Sequence, residues 1–200
     1  MSSGDEGPAV GLRERKKART RMSIQAEAMR LFRERGYQAT TVEQIADAAE
    51  VSPSTFFRYF PTKEDVVLWD EFDPLLVEAV RRRPPSESPV TAMRAAFTSV
   101  FAELSDEERE RVRERTALIM AEPDLRAASL EQFTGTVELL AGIVAERAGK
   151  PVSDMSVLAL AGAVVGVTMS VMIAAGQDPN ADFVALLDAA MALLEEGLPV

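Results

Sequence analysis

Apolar residues along this chain recur at helical spacing, and no run of strict alternation asks for a strand. Ile24, Ala28, Leu31 and Phe32 form the stripe of a first helix that Gly36 ends, with basic residues on its other side. Thr41-Val42-Glu43-Gln44 has the form of a capping box, the hydroxyl and the amide answering free backbone groups, and it opens a short helix with Val42, Ile45, Ala46 and Ala49. Ser52-Pro53 places a capping hydroxyl before a proline at the first helical position, and Phe56 and Phe60 share one face of the helix that follows. Thr62, with Asp65 after it, starts a fourth helix running through Val66 and Trp69 to Val80, with a kink at Pro74. Arg81 to Pro85, followed by Ser86 and Ser88, reads as a linker. Ser88-Pro89 begins a helix with Met93, Phe97 and Phe101; Ser105 begins the next, which Pro123 stops; further helices fit 124–148, 154–175 and 181–196. The pattern predicts an all-α fold of about nine helices.

Composition narrows the chemistry. With 47% hydrophobic residues in 200, the chain can bury a core without staples. The absence of Cys and His excludes disulfides, thiolate or imidazole metal sites, Cys nucleophiles and any triad through a histidine base. Carboxylates are plentiful but scattered over helix faces without a convergent partner, so no enzyme, no metal and no cofactor is expected. The run Asp106 to Arg115 reads as a solvated, ion-paired helix face.

The net charge of −10 conceals an asymmetry. Up to Trp69 there are 11 Lys+Arg against 10 Asp+Glu; beyond it there are 11 against 22. Arg13, Arg15, Lys16, Lys17, Arg19, Arg21, Arg30, Arg33 and Arg35 face only Glu14, Glu27 and Glu34, so a basic element is attached to an acidic body. Residues 1–12 are polar, acidic and Gly-rich, the expected form of a disordered tail on a cytoplasmic chain rather than a secretory signal. Met155 to Gln177 carries no charge and contains Gly162-x-x-x-Gly166, long enough for a membrane span. Asp154 and Asp178 flank it without Trp, Tyr, Lys or Arg anchors, so burial in protein is expected instead, and no membrane partner.

Residues 42–49 and 53–59, two short helices joined by a tight turn behind a longer helix, match a helix-turn-helix. Such a unit lays its second helix in the DNA major groove while the first crosses the backbone. Ser52, Ser54 and Thr55 then lie where base edges come within reach, as small permissive hydroxyls. Tyr59, Lys63 and the helix start after Thr41 would stand beside phosphates, and Arg58 beside phosphate or base. A plain three-helix unit with a solvated basic face has the same outline. The run from Gly36 to Ala46, GYQATTVEQIA, followed by VSPSTFFRYFPTKE from Val51 to Glu64, resembles the DNA-binding domain of the TetR family of bacterial transcriptional repressors. That resemblance implies phosphate contacts at Thr41, Tyr59 and Lys63 and recognition-helix positions at Ser54, Thr55 and Arg58. Two departures stand out: Ser54 replaces the family's usual glycine, and Phe57 replaces a phosphate-binding tyrosine, so Phe57 is expected to make apolar contact with DNA.

The domains expected are therefore a helix-turn-helix over 13–61 and a helical ligand-binding and dimerisation domain over 62–200. In the latter, Gly162, Gly166, Ser170 and Ala174 recur every four residues as a groove of small side chains, and Leu186, Leu187, Ala190, Leu193 and Leu194 widen the apolar face of the last helix. These helices are expected to pair with their symmetry mates in a homodimer suited to a palindromic double-stranded DNA operator, although both also fit a monomer's core. Trp69, Phe72, Met93, Phe97, Phe101, Leu118, Met120 and Phe133 either line an apolar pocket for a small-molecule effector or fill it. The linker and the helix after it resemble family members similar to the mycofactocin-system regulator, which implies an acyl-CoA-like effector. The rival reading is a helical ligand carrier or interaction module without sequence-specific DNA binding.

Overall fold

The expected helices form, and one of them breaks in two. The computed structural model of the chain describes residues 7–70, 72–178 and 181–199, the side chains of 7–12, 14, 73 and 133 excepted. Ten helices and no strand occur among the described residues. They divide into two units, Met1–Trp69 and Asp70–Val200.

The first unit holds α1 (Gly7–Arg35), α2 (Val42–Ala48), α3 (Pro53–Tyr59) and α4 (Lys63–Leu68). Ile24, Ala28, Leu31 and Phe32 of α1 are buried against Ile45, Ala46, Phe56, Phe60, Val66 and Val67. Gly36 stops α1 at φ +87°, a conformation that a residue with a Cβ adopts only with strain. The buried Thr40 hydroxyl donates to the Gly36 carbonyl at 2.9 Å and so fixes the turn into α2. The helical backbone begins at Gly7, so residues 7–12 extend α1 instead of belonging to the tail expected over 1–12; residues 1–6 lie outside the described residues.

The second unit holds α5 (Asp73–Arg82), α6 (Pro89–Ala102), α7 (Asp106–Ala121), α8 (Pro123–Ala148), α9 (Met155–Gln177) and α10 (Phe183–Glu195). α9 is its axis, packed by α7, α8 and α10. Met93, Ala96 and Phe101 of α6, Val144 of α8, Val157 and Val164 of α9, and Leu187 and Met191 of α10 are buried together.

The helix expected from Thr62 to Val80 is two helices, which raises the count from nine. Trp69 is extended (φ −63°, ψ 125°), and the Asp70 carboxylate accepts from the Phe72 N–H at 2.9 Å. Pro74 then sits at the second position of α5, where the N–H that proline lacks has no helical partner to lose. Proline here starts a helix rather than kinking one. The division between units falls after Trp69, not at the expected 61/62, because α4 buries Val66 and Val67 on α1 and the Gln25 amide donates to the Val66 and Trp69 carbonyls at 2.9 and 2.8 Å.

The stretch expected as a free linker is pinned. Arg147 of α8 donates through Nη1 to the carbonyls of Val80 (3.1 Å) and Arg83 (3.3 Å), and through Nη2 to those of Pro84 (2.6 Å) and Glu87 (3.3 Å). Arg83 also pairs with Glu87, which holds that carboxyl below its ordinary pKa.

Candidate nucleic-acid interface

α3 divides cleanly into an anchoring and a presenting face. Phe56 and Phe60 are buried with ring centroids 6.1 Å apart, whereas Ser54, Phe57 and Arg58 are exposed. The i, i+4 spacing of the two anchors is what turns the residues between them outward. Half of Phe57 is exposed, its ring meeting Phe56 edge-on at 5.5 Å, so the residue standing where the family carries tyrosine offers solvent an apolar surface. The Arg58 guanidinium lies 5.4 Å from the centre of the half-buried Tyr59 ring.

The start of α3 is a cluster of hydroxyls. Ser52 Oγ accepts from the Thr55 N–H at 3.1 Å, donates to Thr55 Oγ1 at 2.9 Å and lies 2.9 Å from Ser54 Oγ. Ser52 is thus the N-cap, and Ser54 and Thr55 carry the outward polar edge.

At α2 the predicted capping box is present: the Gln44 N–H donates to Thr41 Oγ1 at 3.3 Å and the Thr41 N–H to the Gln44 amide oxygen at 3.1 Å. Lys63 stands beside this helix start. Its ammonium donates to the carbonyls of Tyr37 (2.9 Å) and Thr40 (3.3 Å) and sits 4.0 Å above the Tyr37 ring. Of its three N–H donors one remains for an outside acceptor. The Tyr37 hydroxyl donates to Glu64 at 2.7 Å. Partial burial pushes the Glu64 carboxyl up, but this bond and those from its own backbone and Thr62 hold it below its ordinary pKa. The structure therefore gathers Thr41 with Lys63, and Ser52 with Ser54 and Thr55, on the first unit.

Trp69, expected with the pocket aromatics, belongs to the first unit. It packs in the first unit against Phe60 (6.0 Å, 68° between planes), with the Arg21 guanidinium 6.0 Å from both rings. In the second unit Phe72 and Phe101 are 6.0 Å apart, Phe97 stacks on Phe101 at 6.4 Å, and Phe183 meets Phe101 edge-on at 6.1 Å. Phe72, Met93 and Phe101 are buried as core; Phe97, Leu118 and Met120 are half-buried; the Phe133 side chain lies outside the described residues. A cavity of about 250 Å³ opens between α6, α7 and α10, lined by Phe101, Leu104, Arg109, Val112, Phe183 and Val184 among others. Among the described side chains of the expected pocket residues, Phe101 alone lines it. Phe183 was the missing aromatic; its position at a helix start hid it from a reading by stripes.

On the proposed dimer surface, Gly162 and Gly166 are half-covered with nothing within 4 Å of where a Cβ would stand, and Ser170 and Ala174 are exposed. Leu186 is exposed too, but Leu187 is 2% exposed and Ala190 and Leu194 pack on the core. Leu187 is thus core rather than surface, while Ala190 and Leu194 are half-buried, because α10 turns that face onto α6 and α9. Leu193, expected on that apolar face, and Ile173, not anticipated, are each 48% exposed. α9 is long and apolar enough to cross a membrane, yet only 28% of its most apolar window is buried within this chain.

Paired short helices with a polar outward face define a helix-turn-helix DNA-binding protein, and comparisons with known proteins carry this to both ends of the chain. The family model described as bacterial regulatory proteins, tetR family, matches residues 24–68, and that described as the MftR C-terminal domain matches residues 87–199. The HTH-type transcriptional regulator TcmR of Streptomyces glaucescens is 40% identical over 159 residues, 76% of this chain and 70% of that protein. Among solved structures, FadR of Thermus thermophilus, a TetR-family transcriptional repressor in complex with lauroyl-CoA, is 32% identical, covers 90% of this chain and 95% of its own, and superposes with a TM-score of 0.57. FadR of Bacillus subtilis in complex with stearoyl-CoA shares the fold, with a TM-score of 0.59 at 22% identity over 89% of this chain and 99% of its own. The chain belongs to the TetR family of transcriptional regulators, which bind DNA and are not enzymes.

Proposed function

We propose that this chain is a repressor that binds a palindromic operator as a homodimer and releases it when an apolar or acyl-CoA-like small molecule occupies its second unit. The observation that carries the reading is the outward face of α3: with Phe56 and Phe60 as anchors, Ser54, Thr55, Phe57 and Arg58 are presented for base edges, while Thr41, Tyr59 and Lys63 flank them for phosphates. Ser52 serves as the cap that orders the others. The chain then works in the cytoplasm, where the DNA is.

The dimer is supported by the uncovered face of α9 and α10. Gly162, Gly166, Ser170, Ala174, Ile173, Leu186 and Leu193 leave an uncharged surface open in the single chain, and a symmetry mate would cover it. The lauroyl-CoA complex of the Thermus relative supports an acyl-CoA-like effector. The cavity of about 250 Å³ is small for such a ligand. Binding would therefore part the Phe72, Phe97, Phe101 and Met93 packing, with Leu118, Met120 and Phe133 as further candidates, and so favour a second state of the unit.

Selection of binding sites from random duplex DNA tests the reading. A palindrome bound by a species of twice the chain mass in light scattering, and released by lauroyl-CoA, is the expected outcome. A monomer, or no enriched sequence, overturns it.

A further inference from the structure

We propose that the N-terminal part of α1, from Arg13 to Arg19, is a second DNA surface: a basic arm that engages phosphates beyond the footprint of α2 and α3 without reading sequence. The proposal rests on the DNA-binding reading above and adds a surface to it. α1 spans 29 residues, but among its described side chains the first that is fully buried is Ile24, and the TetR-family match also begins at residue 24. The described side chains from Arg13 to Arg19 are exposed, Arg15, Lys16 and Lys17 among them, and contact with the packed unit starts with Arg21, whose guanidinium lies on Phe60 and Trp69.

Their pairing is what sets them apart. Arg13, Lys16, Lys17 and Arg19 make no ion pair among the described residues, whereas Arg30 further along the same helix is held between Glu27 and Glu34 at 2.8 Å each. Arg13 stands three and four residues from Lys16 and Lys17, and Lys16 stands three from Arg19. Like charges at these spacings destabilise a helix, and a polyanion laid along it relieves the repulsion.

A carboxylate-rich protein surface would also attract cations. What favours DNA is the shape of the arm: a straight charged rod of regular pitch, on the same unit as α3. The segment carries no apolar stripe of Leu, Phe or Trp of the kind that holds an amphipathic helix in a membrane surface. From Arg13 to Ile24 the helix rises about 16 Å, the length of about five base pairs.

The test uses the full chain, its selected site, and the same site lengthened by about ten base pairs of arbitrary sequence on each side. Binding is followed by fluorescence anisotropy over a salt series, for the native chain and for one carrying Arg13→Gln, Arg15→Gln, Lys16→Gln, Lys17→Gln and Arg19→Gln together. Glutamine keeps the helix propensity, and the melting curve of the variant should match the native one. The native chain should gain roughly tenfold on the longer duplex, with a salt slope steeper than the variant's by about 4 for each bound arm. The variant should gain nothing from the added length and keep its preference for the site. Equal slopes and equal gains in the two chains overturn the proposal, as does a variant defect seen only on phosphatidylserine vesicles. A native chain that binds no duplex refutes the DNA reading itself, a different result.

Discussion

The two units differ in how much of their arginine is tied down. In the second unit it is a tie: Arg94 reaches Asp188 at 2.9 Å and Glu195 at 3.2 Å, Arg115 holds Asp70 at 2.6 Å, Arg113 pairs with Glu110, and Arg111 lies 3.3 Å from Glu107. Arg109 and Arg147 bind main-chain carbonyls instead. In the first unit Arg13, Arg19 and Arg58 point to solvent. An acidic surplus ties most of these side chains to carboxylates or carbonyls on one unit; on the other Arg30 is tied between Glu27 and Glu34, but the charges of Arg13, Arg19 and Arg58 are left for a partner. A net charge of −10 therefore says little about DNA binding until it is divided between the units.

The contrast breaks most severely where the outward face loses its anchor. Phe56→Ala removes a fully buried ring that touches Phe57 and Phe60, at a cost of about 3–5 kcal/mol. DNA binding should disappear with an early melting step by circular dichroism, while the helices of the second unit persist. Native affinity in this variant would show that α3 is not the presenting element. The next effect belongs to the tying arginines. Arg147→Met strips four carbonyls of a charged donor and should destabilise by about 2–3 kcal/mol. The loss should appear in the melting of the second unit, with the selected duplex still bound. An unshifted melt with weakened DNA binding would erase the distinction between ties and outward charges.

What the sequence discloses follows the same division. In the first unit, caps, stripe and recognition face are all local signals, so Thr41 with Gln44, Ser52 with Pro53, and the Phe56/Phe60 pair are legible before any fold is known. The second unit is held by pairs far apart in the chain, such as Arg94 with Asp188 and Arg115 with Asp70, to which no spacing rule points. The pattern points Leu187 outward, yet it is core, because a helix that is apolar nearly all round does not declare which side meets its own core. Trp69 shares its character with the pocket aromatics, and only the break between α4 and α5 separates it from them.

A finer cut lies within the first unit. Lys63→Ala should weaken every duplex alike by about 1 kcal/mol and lower the salt slope by about 1, whereas Arg58→Ala or Thr55→Ala should alter the preference among sequences. Lys63 also braces the Tyr37 and Thr40 carbonyls, so its melting curve must be read beside its binding curve. Equal losses on all sequences for the three variants would sink the division into phosphate and base roles.

The smallest effect tests whether the ties of the second unit carry weight at all. The Arg94 guanidinium, helped by Thr98, holds the Asp188 carboxyl below its ordinary pKa, and the Thr91 hydroxyl with Arg94 does the same for Glu195. Carboxyls held down in this way stabilise the fold above their unfolded pKa, near 4, and lose that contribution as the pH falls through the lower folded values. The native chain and Arg94→Met should therefore differ in Tm by a nearly constant margin from neutral pH to about 5, and converge below about 4. The margin should be small, since side chains a third exposed are screened by water and salt. Curves that stay parallel down to the acid limit would mean that Arg94 acts through the packing of its stem between α6 and α10, and not through its charge.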